Sequence, residues 1–122
     1  MNIDEITEKI IGASFLVSNE LGFGFLEKVY ENALKIELEN LGYKVEQQKP
    51  LSVIYKDQII GEYFADLIVE DEIIVELKST KELADIHKTQ LLNYLKACNK
   101  RVGLLINFGK PKIEIKRVVN NY

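Results

Sequence analysis

This 122-residue chain predicts an α/β fold, a mixed sheet flanked by helices, and three observations carry that reading. Two amphipathic stretches open the chain. Two β-branched runs, Ile59–Val69 and Ile73–Lys78, flank an acidic break and predict a hairpin. A helical stretch then separates Ile73–Lys78 from a continuous apolar run at Val102–Phe108, which implies a right-handed parallel crossover. The order is α-α-β-β-β-α-β-β.

In the first helix Ile3, Ile6, Ile10, Ala13, Val17 and Leu21 recur at three- and four-residue spacing, and Asn2 with Glu5 supplies an N-terminal cap signal. Gly22-Phe23-Gly24 breaks it. The second helix runs from near Phe25 to about Leu41, with Gly42 as its stop. Its apolar arc takes in Leu26, Val29, Tyr30, Ala33, Leu34, Ile36, Leu38 and Leu41. Glu27 stands at the edge of that arc and Glu37 inside it, while Lys28, Glu31, Asn32, Lys35 and Glu39 are expected to face water. Tyr43–Gln47 and, after Pro50, Leu51–Lys56 read as strands, and Gly61 marks a bulge or bend in Ile59–Val69. Ser79-Thr80-Lys81-Glu82 is similar to a capping box and opens a third helix to about Asn99. Leu83, His87, Gln90, Tyr94 and Ala97 share its inner stripe. Lys112–Val119 alternates as an edge strand does.

Bulk properties exclude several classes. The length fits one domain, residues 1–122. A net charge of −3 gives no global field for nucleic acid or anionic membrane, although a local basic patch or bound divalent ions can offset it. One cysteine and one histidine exclude an internal disulfide and a zinc site of the Cys/His type. No apolar run is long enough to span a membrane, and the acidic N-terminus is unlike a secretory signal, so a cytoplasmic location is expected.

The chemistry concentrates on the hairpin. Its turn brings Asp66 opposite Val75 or Glu76, depending on register. Glu76 and Lys78, two apart, leave one face of their strand. Charged groups at the end of an apolar hairpin are costly unless they pair or hold a metal. Hard carboxylate oxygens suit Mg²⁺ or Mn²⁺, which polarise a phosphate and acidify bound water. A neighbouring lysine positions that water and offsets charge developing on phosphorus. The Leu77 carbonyl is a further oxygen ligand, and Glu27 and Gln90 are expected to point inward from two helices.

Asp66, then Glu76-Leu77-Lys78, then a helix carrying Gln90, resembles the PD-(D/E)XK nuclease superfamily, whose restriction-endonuclease-like core has the order α-β-β-β-α-β; here one helix precedes it. Gly24-Phe25-Leu26-Glu27-Lys28-Val29-Tyr30 matches the G-x-x-E-x-x-Y signature of one small family within it. The resemblance implies that Glu27, Asp66 and Glu76 gather one or two divalent metals and that Lys78 is the catalytic lysine. Gln90-Leu91-Leu92-Asn93-Tyr94 is similar to the Q-x-x-x-Y helix motif of the exonuclease-like branch. Gln90 and Tyr94 then share a helix face, orienting lysine or water and contacting a phosphate. Phe64-Ala65 precede Asp66 where the superfamily's name has a proline.

The expected activity is therefore Mg²⁺-dependent DNA hydrolysis, DNA ahead of RNA, with either structure- or end-directed cutting or dependence on a homodimer or partner protein that adds substrate-holding surface. Two rivals stand beside it: a non-catalytic nucleic-acid-binding or regulatory subunit, and an interaction domain in which Asp66, Glu76 and Lys78 form a structural ion network. Tyr30 is read equally as core and as site support, His87 as a core or rim residue, and Cys98 as a small buried apolar group. The basic residues of the C-terminal third, from Lys96 to Arg117, form a solvated face or a backbone-tracking patch.

Overall fold

The computed structural model describes residues 2–121. Its elements are α1 (Ile3–Leu21), α2 (Glu27–Asn40), β1 (Val45–Tyr55), β2 (Gln58–Val69), β3 (Ile73–Lys78), α3 (Asp85–Cys98), β4 (Val102–Asn107) and β5 (Glu114–Val119). The strands make one sheet in the order β1-β2-β3-β4-β5. The β3–β4 pair is parallel and every other pair antiparallel, as expected for a crossover through α3.

Each face of the sheet has its own core. Leu67, Val69, Ile73, Val75, Leu77, Leu104 and Ile106 pack under α1 and α2 against Ile6, Ile10, Tyr30 and Leu34. On the other face Leu51, Ala65, Ile68, Ile74 and Leu105 pack against Leu91 and Leu95 of α3. Interior strand β4, covered on both sides, is buried along its whole length, which is why its sequence is apolar up to Asn107.

The α1 cap forms as expected: Asn2 Oδ1 accepts from the N–H groups of Asp4 (2.9 Å) and Glu5 (3.2 Å). The buried stripe of α2 is narrower than its apolar arc. It holds Tyr30, Glu31, Leu34 and Leu38, whereas Leu26, Ile36 and Leu41 are exposed. Glu31, expected to face water, is 3% exposed. The cause is tertiary, because carboxamides from β1 come over it and satisfy its carboxylate. Tyr30 lies in the core: its ring stacks on Phe108 at 4.6 Å, and its hydroxyl donates to the Gly22 carbonyl at 2.7 Å. It thereby pins the loop between the first two helices.

The two strands read around Pro50 are one strand. Since β1 is the sheet's edge, the missing N–H of Pro50 can face outward without costing a ladder bond. The third helix starts at Asp85, later than the Ser79–Glu82 pattern indicates. Thr80 is held by fully buried Asn107, whose Oδ1 accepts from the Thr80 N–H and whose Nδ2 donates to the Thr80 carbonyl, each at 3.0 Å. That clamp keeps residues 79–84 off the helical path. The cap function falls to His87, whose Nδ1 accepts from the Ala84 N–H at 3.0 Å.

Candidate active site

The site forms where β2 and β3 stop pairing. Their register (Leu67↔Val75, Ile68↔Ile74, Val69↔Ile73) places Asp66 opposite Glu76, but the backbone ladder ends one pair earlier. Side chains close the gap. The Leu77 N–H donates to Asp66 Oδ2 at 2.8 Å, and the Asp66 N–H donates to Glu76 Oε1 at 3.2 Å. Each carboxylate thus replaces a backbone acceptor on the facing strand.

Strand alternation breaks at the same point. Ala65 and Ile68 both pack on the α3 face, three residues apart, where strict alternation would separate them. The partner strand compensates. Gln48, opposite Asp66 in the same register, adopts φ 53°, a left-handed conformation costly for a residue with a side chain. Both strands of the hairpin change face across this pair. Asp66 therefore points into the opening of the sheet, and its carboxylate communicates with α2 on one side and with Glu76 on the other.

Gln48 Nε2 donates to Glu31 Oε1 at 3.0 Å and to Asp66 Oδ1 at 3.2 Å, joining the two carboxylates. Gln47 Nε2 and Lys28 Nζ also donate to Glu31. Sequence reasoning missed Glu31 because its partners lie in another element. The available signal was the pair Gln47-Gln48, adjacent amides in a strand that need polar partners on both sides of it.

The electrostatics follow from burial. Glu76, 8% exposed, is pushed up to about 9 by desolvation and then by the Asp66 charge. Asp66 is also raised, by desolvation first and by the Glu31 charge, against the lowering effect of the Leu77 N–H. Two neighbouring carboxylates, one buried and one half-buried, oppose each other's ionisation in this way. Lys78, on the same face as Glu76 and half-buried, forms no ion pair among the described residues.

The other predicted residues surround this pair at different depths. Tyr94 is half-buried on α3 against the ring of Tyr63, and its phenol is raised by burial first, then by the charges of Glu76, Tyr63 and Asp66. Gln90 is exposed rather than inward, one turn earlier on the helix, and lines a cleft with Tyr94. Glu27 is not gathered with Asp66 and Glu76. It is exposed in the first turn of α2 and lines a hollow with Ser79, Thr80, Lys81 and Gly109, just past the end of β3. Glu31, one turn further along the same helix face, takes the inner position. Among the described residues no group of three or more His, Cys, Asp or Glu side chains could hold an ion together. The Asp66–Glu76 pair nevertheless fits Mg²⁺, which commonly takes only one or two protein carboxylates.

The profile of the PD-(D/E)XK nuclease superfamily matches residues 4–118. No curated protein and no solved structure gives a match to the chain. Among the described residues no helix is long and apolar enough to cross a membrane. The chain belongs to the PD-(D/E)XK nuclease superfamily, and its mixed five-stranded sheet with three helices is the restriction-endonuclease-like arrangement.

Proposed function

From that membership we propose that the chain is a divalent-metal-dependent nuclease of the G-x-x-E-x-x-Y type that hydrolyses phosphodiester bonds in DNA. The observation that carries the reading is the pair of buried Glu76 and half-buried Asp66 at the opening of the sheet, with Lys78 on the same face as Glu76. Asp66 and Glu76 would hold Mg²⁺ or Mn²⁺, with the Leu77 carbonyl as a further oxygen donor. The ion, when bound, supplies Lewis acidity toward the phosphate and acidifies water.

The chain's own groups do the rest. Lys78, as its ammonium, orients the attacking water and neutralises charge developing at phosphorus. Gln90 orients that lysine or water, and Tyr94 contacts a phosphate oxygen. Tyr30 supports the site at a distance through the Gly22 loop. Glu31 acts as a positioning residue, holding Asp66 through Gln48. A single domain of this size has little surface for reading sequence, so substrate is held with the help of a homodimer or partner, in the cytoplasm. A second reading, a non-catalytic nucleic-acid-binding or regulatory subunit, draws on the net charge of −3.

Calorimetric titration of Mn²⁺ and Mg²⁺, with cleavage assayed on single-stranded, nicked and branched DNA, separates the readings. The nuclease reading expects binding that disappears in Asp66→Ala/Glu76→Ala and cleavage that falls by at least ~10²-fold in Lys78→Ala. Metal binding without cleavage on any substrate favours the second reading. Absence of binding in the wild type removes the metal site altogether.

Gln48→Gly probes the support of the site. Glycine accepts the left-handed backbone without strain, so stability should hold or rise. Loss of the amide that ties Glu31 to Asp66 should weaken Mn²⁺ binding by ~10–100-fold. Unchanged affinity would show that Gln48 is only a turn residue.

A further inference from the structure

The β1–β2 ribbon projects past the rest of the sheet, because β2 pairs with β3 only from Leu67 onward while its β1 pairing extends to Gln58. Helix α3 runs alongside this arm, and between them lies a cleft of about 550 Å³ lined by Ser52, Tyr63, Gln90, Asn93, Tyr94 and Lys96 among others. That volume falls in the range of pockets that take a nucleotide-sized ligand.

Its lining combines aromatic rings, carboxamides and a cation. Tyr63, from the arm, is 47% exposed. Its ring sits 5.3 Å from that of Tyr94 with the planes tilted by 41°, so the helix side braces it while nearly half of its surface stays open. A ring already held by a neighbour loses little freedom when something flat stacks on it. Gln90 and Asn93 add carboxamides, which donate and accept without charge, and Lys96 adds a cation. The helix wall of the cleft, α3, packs on the sheet face that carries Ile74, and by strand alternation Glu76 and Lys78 project from that same face.

We propose that this cleft is a subsite for an unpaired nucleobase of a single-stranded nucleic acid, stacked on the Tyr63 ring. The amide of Asn93 meets the base edge, and Lys96 meets a backbone phosphate on the way to the carboxylates. The assignment rests on the nucleic-acid reading of the site and narrows it to strands with bases free to stack. In a duplex, bases are already stacked and paired, so Tyr63 has nothing to grip. Sequence-tolerant stacking of this kind is how proteins hold single strands without reading them.

Fluorescence anisotropy tests this in EDTA, where no cleavage occurs, with a labelled oligothymidylate, an oligouridylate and a blunt DNA duplex as probes. Tyr63→Leu should weaken binding of the single strands about tenfold, Tyr63→Phe should retain it, and duplex binding should not change in either variant. A single-stranded probe carrying one 2-aminopurine should change its fluorescence on binding to wild type and to Tyr63→Phe, and not to Tyr63→Leu. Equal binding by wild type and Tyr63→Leu overturns the proposal. So does an equal loss in Tyr63→Phe, because the hydroxyl rather than the ring face would then be responsible, and so does a parallel loss for the duplex. Melting curves identify a folding defect in Tyr63→Leu, in which case the Tyr63→Phe and 2-aminopurine results decide. Failure of the nuclease reading is recognised separately: it appears as absent Mn²⁺ binding and absent cleavage in the wild type, whatever Tyr63 does.

Discussion

Glu76→Gln should make the metal-free protein more stable at pH 8 and abolish cleavage. An unfolded glutamate ionises near 4.5, whereas folded Glu76 holds its proton to about 9 because burial and Asp66 oppose a second negative charge. Its contribution to stability is therefore complete below pH 4.5 and is lost as pH climbs to about 9, at up to ~1.4 kcal/mol per pH unit. Glutamine copies the protonated form and does not titrate. Its Oε1 can still accept from the Asp66 N–H, so the bond that closes the sheet opening is kept. At pH 8 the variant should gain ~2–4 kcal/mol, seen as a rise in Tm of roughly 10 °C. Across pH 5 to 9 the wild-type Tm should fall in EDTA and recover with Mn²⁺, while Glu76→Gln should show neither response. A wild-type Tm that rises over this interval, or a variant less stable than wild type at pH 8, would refute the protonation account. The expected contrast is a residue that costs stability and supplies activity.

Gly109→Ala should be the most damaging small substitution outside the carboxylates. A Cβ at this position collides with the backbone nitrogen and oxygen of Thr80 and lies 2.7 Å from the Ser79 carbonyl carbon. None of these atoms belongs to a flexible side chain, so the segment after β3 must move. That segment is also fixed by Asn107, whose Oδ1 accepts from the N–H groups of both Thr80 and Gly109. The substitution should cost ~3 kcal/mol and displace Lys78, which immediately precedes the clamp, so activity should fall further than the loss of folded protein explains. Gly103→Ala is the internal comparison. Its Cβ meets only the side chain of Leu91, at 2.9 Å, and that leucine can turn, so ~1 kcal/mol is expected. Urea unfolding of both variants checks the ranking. Equal effects would mean that the β3–α3 connection yields as easily as a leucine rotamer.

The sequence by itself determined the element order, because periodicity is a local property. Three- and four-residue spacing marks α1 and α2, and β-branched runs mark β2, β3 and β4. It also determined that Asp66 would lie across from the Val75-Glu76 end of the neighbouring strand, since a short turn leaves few registers. Choosing Glu76 rather than Val75 as the partner of Asp66 depended on the turn itself, where Glu70 and Asp71 take φ of 53° and 57°. The rest was decided between elements. Glu31 is polar and lies among residues that face water by pattern, yet Gln47 and Gln48 make its burial affordable. The change of face at Gln48 and Asp66 breaks alternation, the rule by which a strand's two sides are read from sequence. Thr80 starts no helix because Asn107 binds its backbone. In each case the deciding hydrogen bond joins residues distant in sequence, and local propensity contains no record of it.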